Sequence, residues 1–310
     1  MQRHLHYFYG VPCDVDFTLA VPAPGVPEPP ACASPADVVT LSRSACAIPE
    51  SPLEAERFAV VEHGREVWFS SDIDHWGVPR TGQRYRFSVA GVASFEWEGQ
   101  GSEIFYSPHG EENPGPLGFW FIHIFLPLYL ALVRGYHFFH AGAVRIDGAA
   151  VLFFAPSMGG KSTLAAGFLE RGHKLLSDDK VAVVQTGQGF YAFPSHPHHR
   201  PYRRNEDLGI PIPRFCTAAE PIAAVYILER GSPDGPVTFS ALSGFRKFEE
   251  LLPSYLFNFA GLLQTRTAYL ARLVDALPVY QLRRPWSLAR TDEVCTEICH
   301  HLRSLAPAPA

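Results

Sequence analysis

Short apolar-rich stretches, separated by turn residues, fill the first third of the chain. Two of them flank His63-Gly64-Arg65 in the manner of a β-hairpin, and two others alternate strictly between apolar and polar residues. These stretches are Phe58–Glu62, Glu66–Ser70, Tyr85–Val89 and Ser94–Glu98. The pattern predicts a β-rich N-terminal domain over residues 1–117, with Glu111–Gly118 as its linker and Pro22–Pro35 as a proline-rich loop.

The pattern changes after residue 118, where helical and strand-like stretches follow one another. Predicted helices cover Phe119–Arg134, Ser162–Arg171, Phe245–Leu252, Leu262–Leu273 and Thr291–Leu302. Predicted strands cover Phe138–Ile146, Ala149–Phe154, Lys174–Ser177, Lys180–Gln185 and Pro221–Leu228. This succession predicts a mixed α/β or α+β domain over residues 118–303, followed by a flexible tail over residues 304–310.

Composition narrows the class of protein. The chain has 310 residues, 47% of them hydrophobic, and its net charge of −5 argues against general nucleic-acid binding. Six scattered cysteines do not form a disulfide framework, and the first residues lack the apolar run of a signal peptide. The most apolar stretch, Gly118–Val133, contains His123 and Pro127 and is short for a membrane span. We therefore predict a buried helix there, and a soluble, cytoplasmic protein with no membrane partner.

A glycine-rich loop lies between the predicted strand Ala149–Phe154 and the predicted helix Ser162–Arg171. Backbone N–H groups of such a loop can wrap phosphate oxygens, the lysine adds positive charge, and the serine hydroxyl can bind Mg²⁺. The following helix also points its positive dipole end at the loop. A chance match is the alternative, but the flanking strand and helix favour nucleotide binding. The residues predicted to bind are Ser157, Met158, Gly159, Gly160, Lys161, Ser162 and Thr163.

Two adjacent acids, Asp178 and Asp179, follow the loop closely. The intervening helix is about 15 Å long, and the chain must return after it, which brings the acids back beside the loop. Because neighbouring side chains diverge, one carboxylate can bind Mg²⁺ while the other faces an acceptor hydroxyl. Adjacent acids that merely end a strand are the alternative.

The segment Ser195–Arg204 combines three histidines with three arginines. Arg200, Arg203 and Arg204 are candidates for contact with a triphosphate or with the substrate, because guanidinium groups bind phosphate and carboxylate well. A metal site and a polar surface loop are the alternatives.

Residues 140–185 resemble the catalytic domain of HPr serine kinase/phosphorylase. The matching parts are His140 at the start of a strand, the Ser157…Gly160-Lys161-Ser162 loop and the block Arg171–Asp179. The resemblance implies a P-loop kinase domain whose architecture is shared with phosphoenolpyruvate carboxykinase. It also implies ATP and Mg²⁺ as cofactors.

The resemblance implies a role for each matching residue. Lys161 would hold the β- and γ-phosphates, and Ser162 with Asp178 would hold Mg²⁺. Asp179 would be the base that takes the proton from a serine hydroxyl, and His140 would lie near the transferred phosphate. Lys161, Asp179 and His140 are thus the predicted catalytic residues, although the sequence alone allows His140 to be an ordinary core histidine.

The chain departs from that family at three loop positions. Ala155 and Met158 stand where the family has glycine, and Thr163 stands where it has glutamate. The family's downstream glycine-rich signature and its N-terminal domain are not evident, so the reverse phosphorolysis reaction is not expected. The chain is more similar to the HPr-kinase-like proteins encoded beside ribosomally made peptides, including lasso peptides. This resemblance implies that a serine of the precursor peptide is the acceptor.

Together these observations predict an ATP- and Mg²⁺-dependent kinase that acts on a serine of a peptide or small protein. A small-metabolite kinase, a carboxykinase-like lyase and a non-catalytic nucleotide sensor are the alternatives. The lyase would need a transition-metal site and substrate-binding arginines that the sequence does not locate. The family tends toward homo-oligomers, but no interface is specified by the sequence.

Overall fold

A computed structural model describes residues 3–19, 21, 38–53, 56–73, 78–201, 205–257, 259 and 262–305. Its first part is an eight-stranded sheet in the order β1-β2-β3-β8-β7-β6-β5-β4. The strands are β1 (His4–Phe8), β2 (Val11–Val15), β3 (Val39–Arg43), β4 (Glu56–Glu62), β5 (Arg65–Ser71), β6 (Arg84–Val89), β7 (Ala93–Glu98) and β8 (Glu103–Pro108). Neighbouring strands are antiparallel, except that β3 runs parallel to both β2 and β8.

The predicted hairpin is confirmed, with Glu62 opposite Arg65. His63 and Gly64 form its turn with φ of 49° and 79°, as a two-residue turn that matches the strand twist requires. Strand β4 is an edge of this sheet, and its Val60 and Val61 are exposed. The predicted proline-rich loop Pro22–Pro35 lies outside the described residues.

One long helical segment follows the sheet. It consists of α1 (Pro114–Phe119), a π-helical stretch over Trp120–Phe125 and α2 (Leu126–Val133). The predicted linker was therefore wrong from Pro114 onward. Asn113 caps this helix by accepting a hydrogen bond from the backbone N–H of Gly115 at 3.2 Å, and proline is well suited to a first helical turn.

The segment Pro114–Val133 is long and apolar enough to cross a membrane by length and composition alone. However, 78% of its apolar window is buried inside the protein. Its side chains share one core with the inner face of the first sheet, where Phe125 stacks on Phe95 with ring centroids 4.5 Å apart. We therefore assign it to the protein core, as the sequence predicted.

The second part contains ten further strands and four further α-helices among the described residues. The strands are β9 (His137–Ile146), β10 (Ala149–Phe154), β11 (Lys174–Ser177), β12 (Lys180–Thr186), β13 (Gly189–Phe193), β14 (His198–His199), β15 (Ile210–Pro211), β16 (Glu220–Gly231), β17 (Thr238–Ala241) and β18 (Val279–Pro285). The helices are α3 (Lys161–Glu170), α4 (Phe245–Leu251), α5 (Leu263–Ala276) and α6 (Thr291–Leu305). This is the mixed α/β arrangement that the sequence pattern predicted.

Two long strands, β9 and β16, connect two layers of this part. In one layer, β12 and β13 lie between β9 and β16. In the other layer, β10 pairs with both β9 and β16. Strands β10, β16 and β18 run parallel, so their carboxyl ends meet at one edge. Alternate residues of β10 serve two cores, with Leu152 and Phe154 on one face and Val151 and Phe153 beneath α3 and α6 on the other.

Candidate functional site: a phosphate loop opposite paired aspartates

The glycine-rich loop follows β10 and turns directly into α3, as predicted. Gly159 donates its N–H to the carbonyl of Pro156 at 2.9 Å, which closes a tight turn. Met158 and Gly160 have φ of 60° and 86°. A Cβ on Gly159 would come within 2.4 Å of the Ala155 Cβ, so glycine is required there once alanine occupies the first loop position.

Lys161 is buried at the base of the loop. Its ammonium donates to the carbonyls of Ala155 and Pro156 at 2.7 and 3.3 Å and to His140 Nε2 at 2.9 Å. Because an ammonium can only donate, His140 Nε2 accepts and the ring proton is on Nδ1. That Nδ1 lies 3.1 Å from Asp179 Oδ1, so His140 connects the lysine to the second aspartate.

Asp178 is the carboxylate nearest to the start of α3. Ser162 Oγ donates to Asp178 Oδ1 at 3.1 Å, and the backbone N–H of Arg200 donates to Oδ2 at 2.9 Å. His199 Nδ1 also lies 2.9 Å from Oδ2. Burial alone would raise the pKa of Asp178, but the contacts with His199 and Arg200 hold it below its ordinary value. Asp178 is therefore an anion held beside the serine of the loop.

Asp179 faces the other way. Its backbone φ of 78° makes the sharp turn between β11 and β12, and its carboxylate contacts His140 through Oδ1 and His123 through Oδ2, the latter at 2.9 Å. Burial alone would raise the pKa of Asp179, but hydrogen bonds with His123 and His140 and the charge of Lys180 hold it well below its ordinary value. The predicted divergence of the two aspartates is confirmed.

Arg200 approaches the same carboxylate from a third side. Its Nη1 lies 2.7 Å from His123 Nε2 and 3.5 Å from Asp179 Oδ2. The Nε2 atom of His123 can either donate to Asp179 or accept from Arg200, but not both at once. The His123–Asp179 and Arg200–His123 hydrogen bonds are therefore mutually exclusive. The guanidinium also lies 5.2 Å from the centre of the Phe119 ring.

Residues 195–200 of the histidine- and arginine-containing segment are all buried, so this part of it is not a surface loop. Burial and the charges of His198 and Arg200 lower the pKa of His196 to about 3. Arg200 lies at the site as predicted, whereas Arg203 and Arg204 lie outside the described residues.

The loop and Asp179 border one pocket of about 430 Å³, whereas Asp178 is buried beside it and does not line it. Such a volume lies in the usual range for small-ligand sites. Ser157 is exposed and is not among its lining residues. The pocket is lined by Met158, Gly159, Gly160, Lys161, Ser162, Thr163, Asp179, Arg200, Pro201 and Trp286.

Several residues at this site were not predicted. His123 lies in an apolar helix, where the one available signal was a polar residue within a buried stretch. His199, which contacts Asp178, lies in the segment Ser195–Arg204, where the sequence predicts only the arginines as site residues. Arg284 and Trp286, together with Arg230, come from the ends of β18 and β16 and belong to no short motif. Their position depends on strand pairing across the second sheet.

The hairpin of the first sheet also reaches this region. The His63 ring lies against Phe119, with centroids 5.0 Å apart. Arg65 pairs with Glu206, which also accepts from Trp120 Nε1 at 2.6 Å. Residues of the first sheet thus support the helix that carries His123.

The oxygen donors at the start of α3 suit Mg²⁺, which is commonly held by one or two carboxylates together with substrate phosphates. Ser162 Oγ and Asp178 Oδ1 are such donors, and they lie 3.1 Å apart. Over the described part of the chain, no cluster of three or more histidine, cysteine or acidic side chains is arranged to hold a metal ion without further ligands. Phosphate oxygens would have to complete the coordination.

Comparisons with known proteins show only a distant likeness. No protein-family model matches the chain, and no curated protein matches it. Among solved structures, the chain is similar to the HPr(Ser) kinase/phosphatase from Coxiella burnetii, with a TM-score of 0.33 and 13% sequence identity. The matched region covers 55% of this chain and 99% of that one. Likeness at this level carries no argument about activity, so the function must be argued from the site itself.

Proposed function

We propose that this protein is an ATP- and Mg²⁺-dependent kinase that transfers the γ-phosphoryl group to a serine hydroxyl of a peptide or small protein. One observation carries the proposal. Ser162 at the start of α3 donates to Asp178 at 3.1 Å, while Asp179, the next residue, lines the same pocket as Lys161. Phosphate-binding, metal-binding and proton-accepting groups therefore converge on one space.

The loop supplies the groups that bind phosphate. The first N–H groups of α3 lack partners within the helix, and the residues that carry them line the pocket, where the helix dipole also favours an anion. Lys161 would exchange its loop carbonyls for phosphate oxygens. Mg²⁺, held by Ser162 and Asp178, would neutralise charge on the phosphates, which is the chemistry a metal supplies in this reaction class.

Asp179 is suited to receive the acceptor's proton. Its depressed pKa keeps it ionised at neutral pH, although such a carboxylate is a weak base. A weak base is sufficient because phosphoryl transfer proceeds through a loose transition state, in which positioning and charge stabilisation do most of the work. His140 holds Asp179 Oδ1 in place and connects it to Lys161.

The peptide acceptor is supported by the first sheet and by the resemblance in sequence. Strand β4 is an edge strand that exposes Phe58, Val60 and Val61, of which Phe58 is 54% exposed. An extended peptide can pair with such an edge through backbone hydrogen bonds, and its apolar side chains can pack against the exposed ones of β4.

The test is incubation of the full chain with labelled ATP, Mg²⁺ and the peptide encoded beside its gene, followed by mass mapping of the modified residue. We expect one phosphorylated serine with the wild type and none with Lys161→Ala. Lys247→Ala is the matched control, because that ammonium binds the carbonyls of Val274 and Leu277 at the end of α5. Equal phosphorylation by wild type and Lys161→Ala would contradict the proposal.

A nucleotide sensor without transferase activity is the second candidate. The observation that favours it is that both oxygens of Asp179 already have partners in His140 and His123. Tight ATP binding by the wild type, with no phosphate transferred to any peptide or small hydroxyl compound, would decide for the sensor.

A further inference from the structure

Three parallel strands bring a second group of residues to the phosphate loop. The carboxyl end of β10 carries the loop, and β16 and β18 end beside it with Arg230 paired to Arg284. In open α/β sheets, ligands bind outside the carboxyl ends of parallel strands. Trp286 follows two residues after Arg284 and lines the same pocket as Lys161.

Trp286 lies directly against the loop. A Cβ on Gly160 would be 3.3 Å from Trp286 Cζ3 and 2.0 Å from Arg284 Nη2. Trp286 is 40% exposed, although the guanidinium of Arg230 lies over its ring at 4.0 Å from the centre and that of Arg284 at 5.0 Å. An apolar ring fixed by two cations, yet open to the pocket, is a surface prepared for a flat ligand.

The buried Arg284 lacks the counter-charge that buried arginines usually have, and the exposed Arg230 lies beside it. Arg284 is only 7% exposed, and its Nε has no hydrogen-bond partner. Arg284 and Arg230 donate to the carbonyls of Gly159 and Met158, at 3.1 and 3.0 Å. Among the described residues, no carboxylate forms an ion pair with either guanidinium. A buried cation in this setting is stabilised when an anion enters the neighbouring pocket.

We propose that Trp286 is the stacking surface for the base of the bound nucleotide, with the guanidinium groups of Arg230 and Arg284 holding its ring against the phosphate loop. The inference rests on the proposed function in one respect, namely that a nucleotide binds in the pocket. The base is joined to the phosphates through the ribose, and the exposed indole is the aromatic group that lines the pocket beside the loop. Because every base has a π-face, this surface accepts ATP and GTP alike.

Titration calorimetry with two ligands tests the inference, namely Mg²⁺–ATP and Mg²⁺–tripolyphosphate, which has phosphates but no base. We expect Trp286→Ala to weaken ATP binding at least about fivefold, the lower end for loss of one stacked base. Tripolyphosphate binding should stay unchanged, and Trp286→Phe should restore most of the ATP affinity. Leu288→Ala is the matched control, because Leu288 is 79% exposed in the same segment.

Two results would overturn the inference while leaving the proposed function intact. An equal loss of affinity for both ligands would mean that Trp286 only supports the loop. Unchanged ATP affinity in Trp286→Ala would mean that the base binds elsewhere. A ring of the phosphate-accepting substrate would then be the better candidate to stack on Trp286. If the wild type binds neither ligand, the proposed function itself fails.

Discussion

The two walls of the pocket are built on different principles. The loop wall is a segment continuous in sequence that exposes backbone N–H groups and carries Lys161, and Arg230 and Arg284 from two distant strands donate to its carbonyls. The opposite wall carries Asp179, next to the buried Asp178, and both carboxylates are held by segments far apart in the chain. Backbone donors on one side bind the phosphates, whereas shared imidazole and guanidinium contacts on the other side position the carboxylates. Binding and chemistry should therefore be separable by mutation.

The largest expected effect is on the carboxylate wall. Asp179→Asn should reduce turnover at least about 100-fold, because the amide cannot accept the acceptor's proton. ATP affinity, measured by calorimetry, should stay close to that of the wild type, because the loop is untouched. Asp178→Asn should instead raise the Mg²⁺ concentration needed for half-maximal activity. Normal turnover in Asp179→Asn would contradict the view that the carboxylate wall serves the chemistry and the loop wall serves binding.

The second effect is on the loop wall. Gly160→Ala should weaken ATP binding at least about tenfold, because the added β-carbon would meet Arg284 Nη2 at 2.0 Å and force the loop or the guanidinium to move. The strain of a β-carbon at positive φ, about 1–2 kcal/mol, lowers the stability of the fold but does not by itself affect binding. The control is Gly148→Ala, which has nearly the same φ, 87° against 86°, and nothing within 4 Å of the added carbon.

Gly148→Ala should lose stability but keep its ATP affinity. If both alanine variants bound ATP equally well, the contact with Arg284 would have no part in shaping the loop.

The smallest effect is on the pH dependence of stability, and it tests the packing next to the carboxylate wall. His196, whose ring lies 6.4 Å from that of His123, has its pKa lowered from 6.5 to about 3, chiefly by burial. Between these values the unfolded chain binds one more proton than the folded one, so this histidine makes stability fall as pH falls. His196→Gln should reduce the slope of the free energy of unfolding by about 1.4 kcal/mol per pH unit.

Urea unfolding at several values between pH 4 and pH 6 measures that slope. His300→Gln, at an exposed position on α6, controls for the substitution itself. An unchanged slope in His196→Gln would mean that His196 is protonated in the folded protein as well.

The loop wall was predictable from sequence because its geometry is local. The strand Ala149–Phe154, the turn with Gly159 and Gly160, and α3 all depend on neighbouring residues, and Asp178 with Asp179 had to return beside the loop within one short helix. The hairpin at His63-Gly64 was predictable for the same reason.

What could not be predicted depends on distant contacts. His123 reaches Asp179 only because the helix after the first sheet packs across the second part, and Trp286 reaches the loop only because β18 pairs with β16. The linker predicted over Glu111–Gly118 is wrong from Pro114 onward. Proline and glycine are typical of loops, but after the N-cap Asn113 they form the first turn of a helix. The predicted domain boundary after residue 117 stays a prediction.

Glu206 has a consequence for how the chain can be divided. It lies in the second part but is held jointly by Arg65 of the first sheet and Trp120 of the following helix. Cutting the chain at residue 117 would remove Arg65 and leave a partly buried carboxylate without its cation, a few positions from Arg200. The second part holds the whole phosphate loop, yet it is not electrostatically self-sufficient.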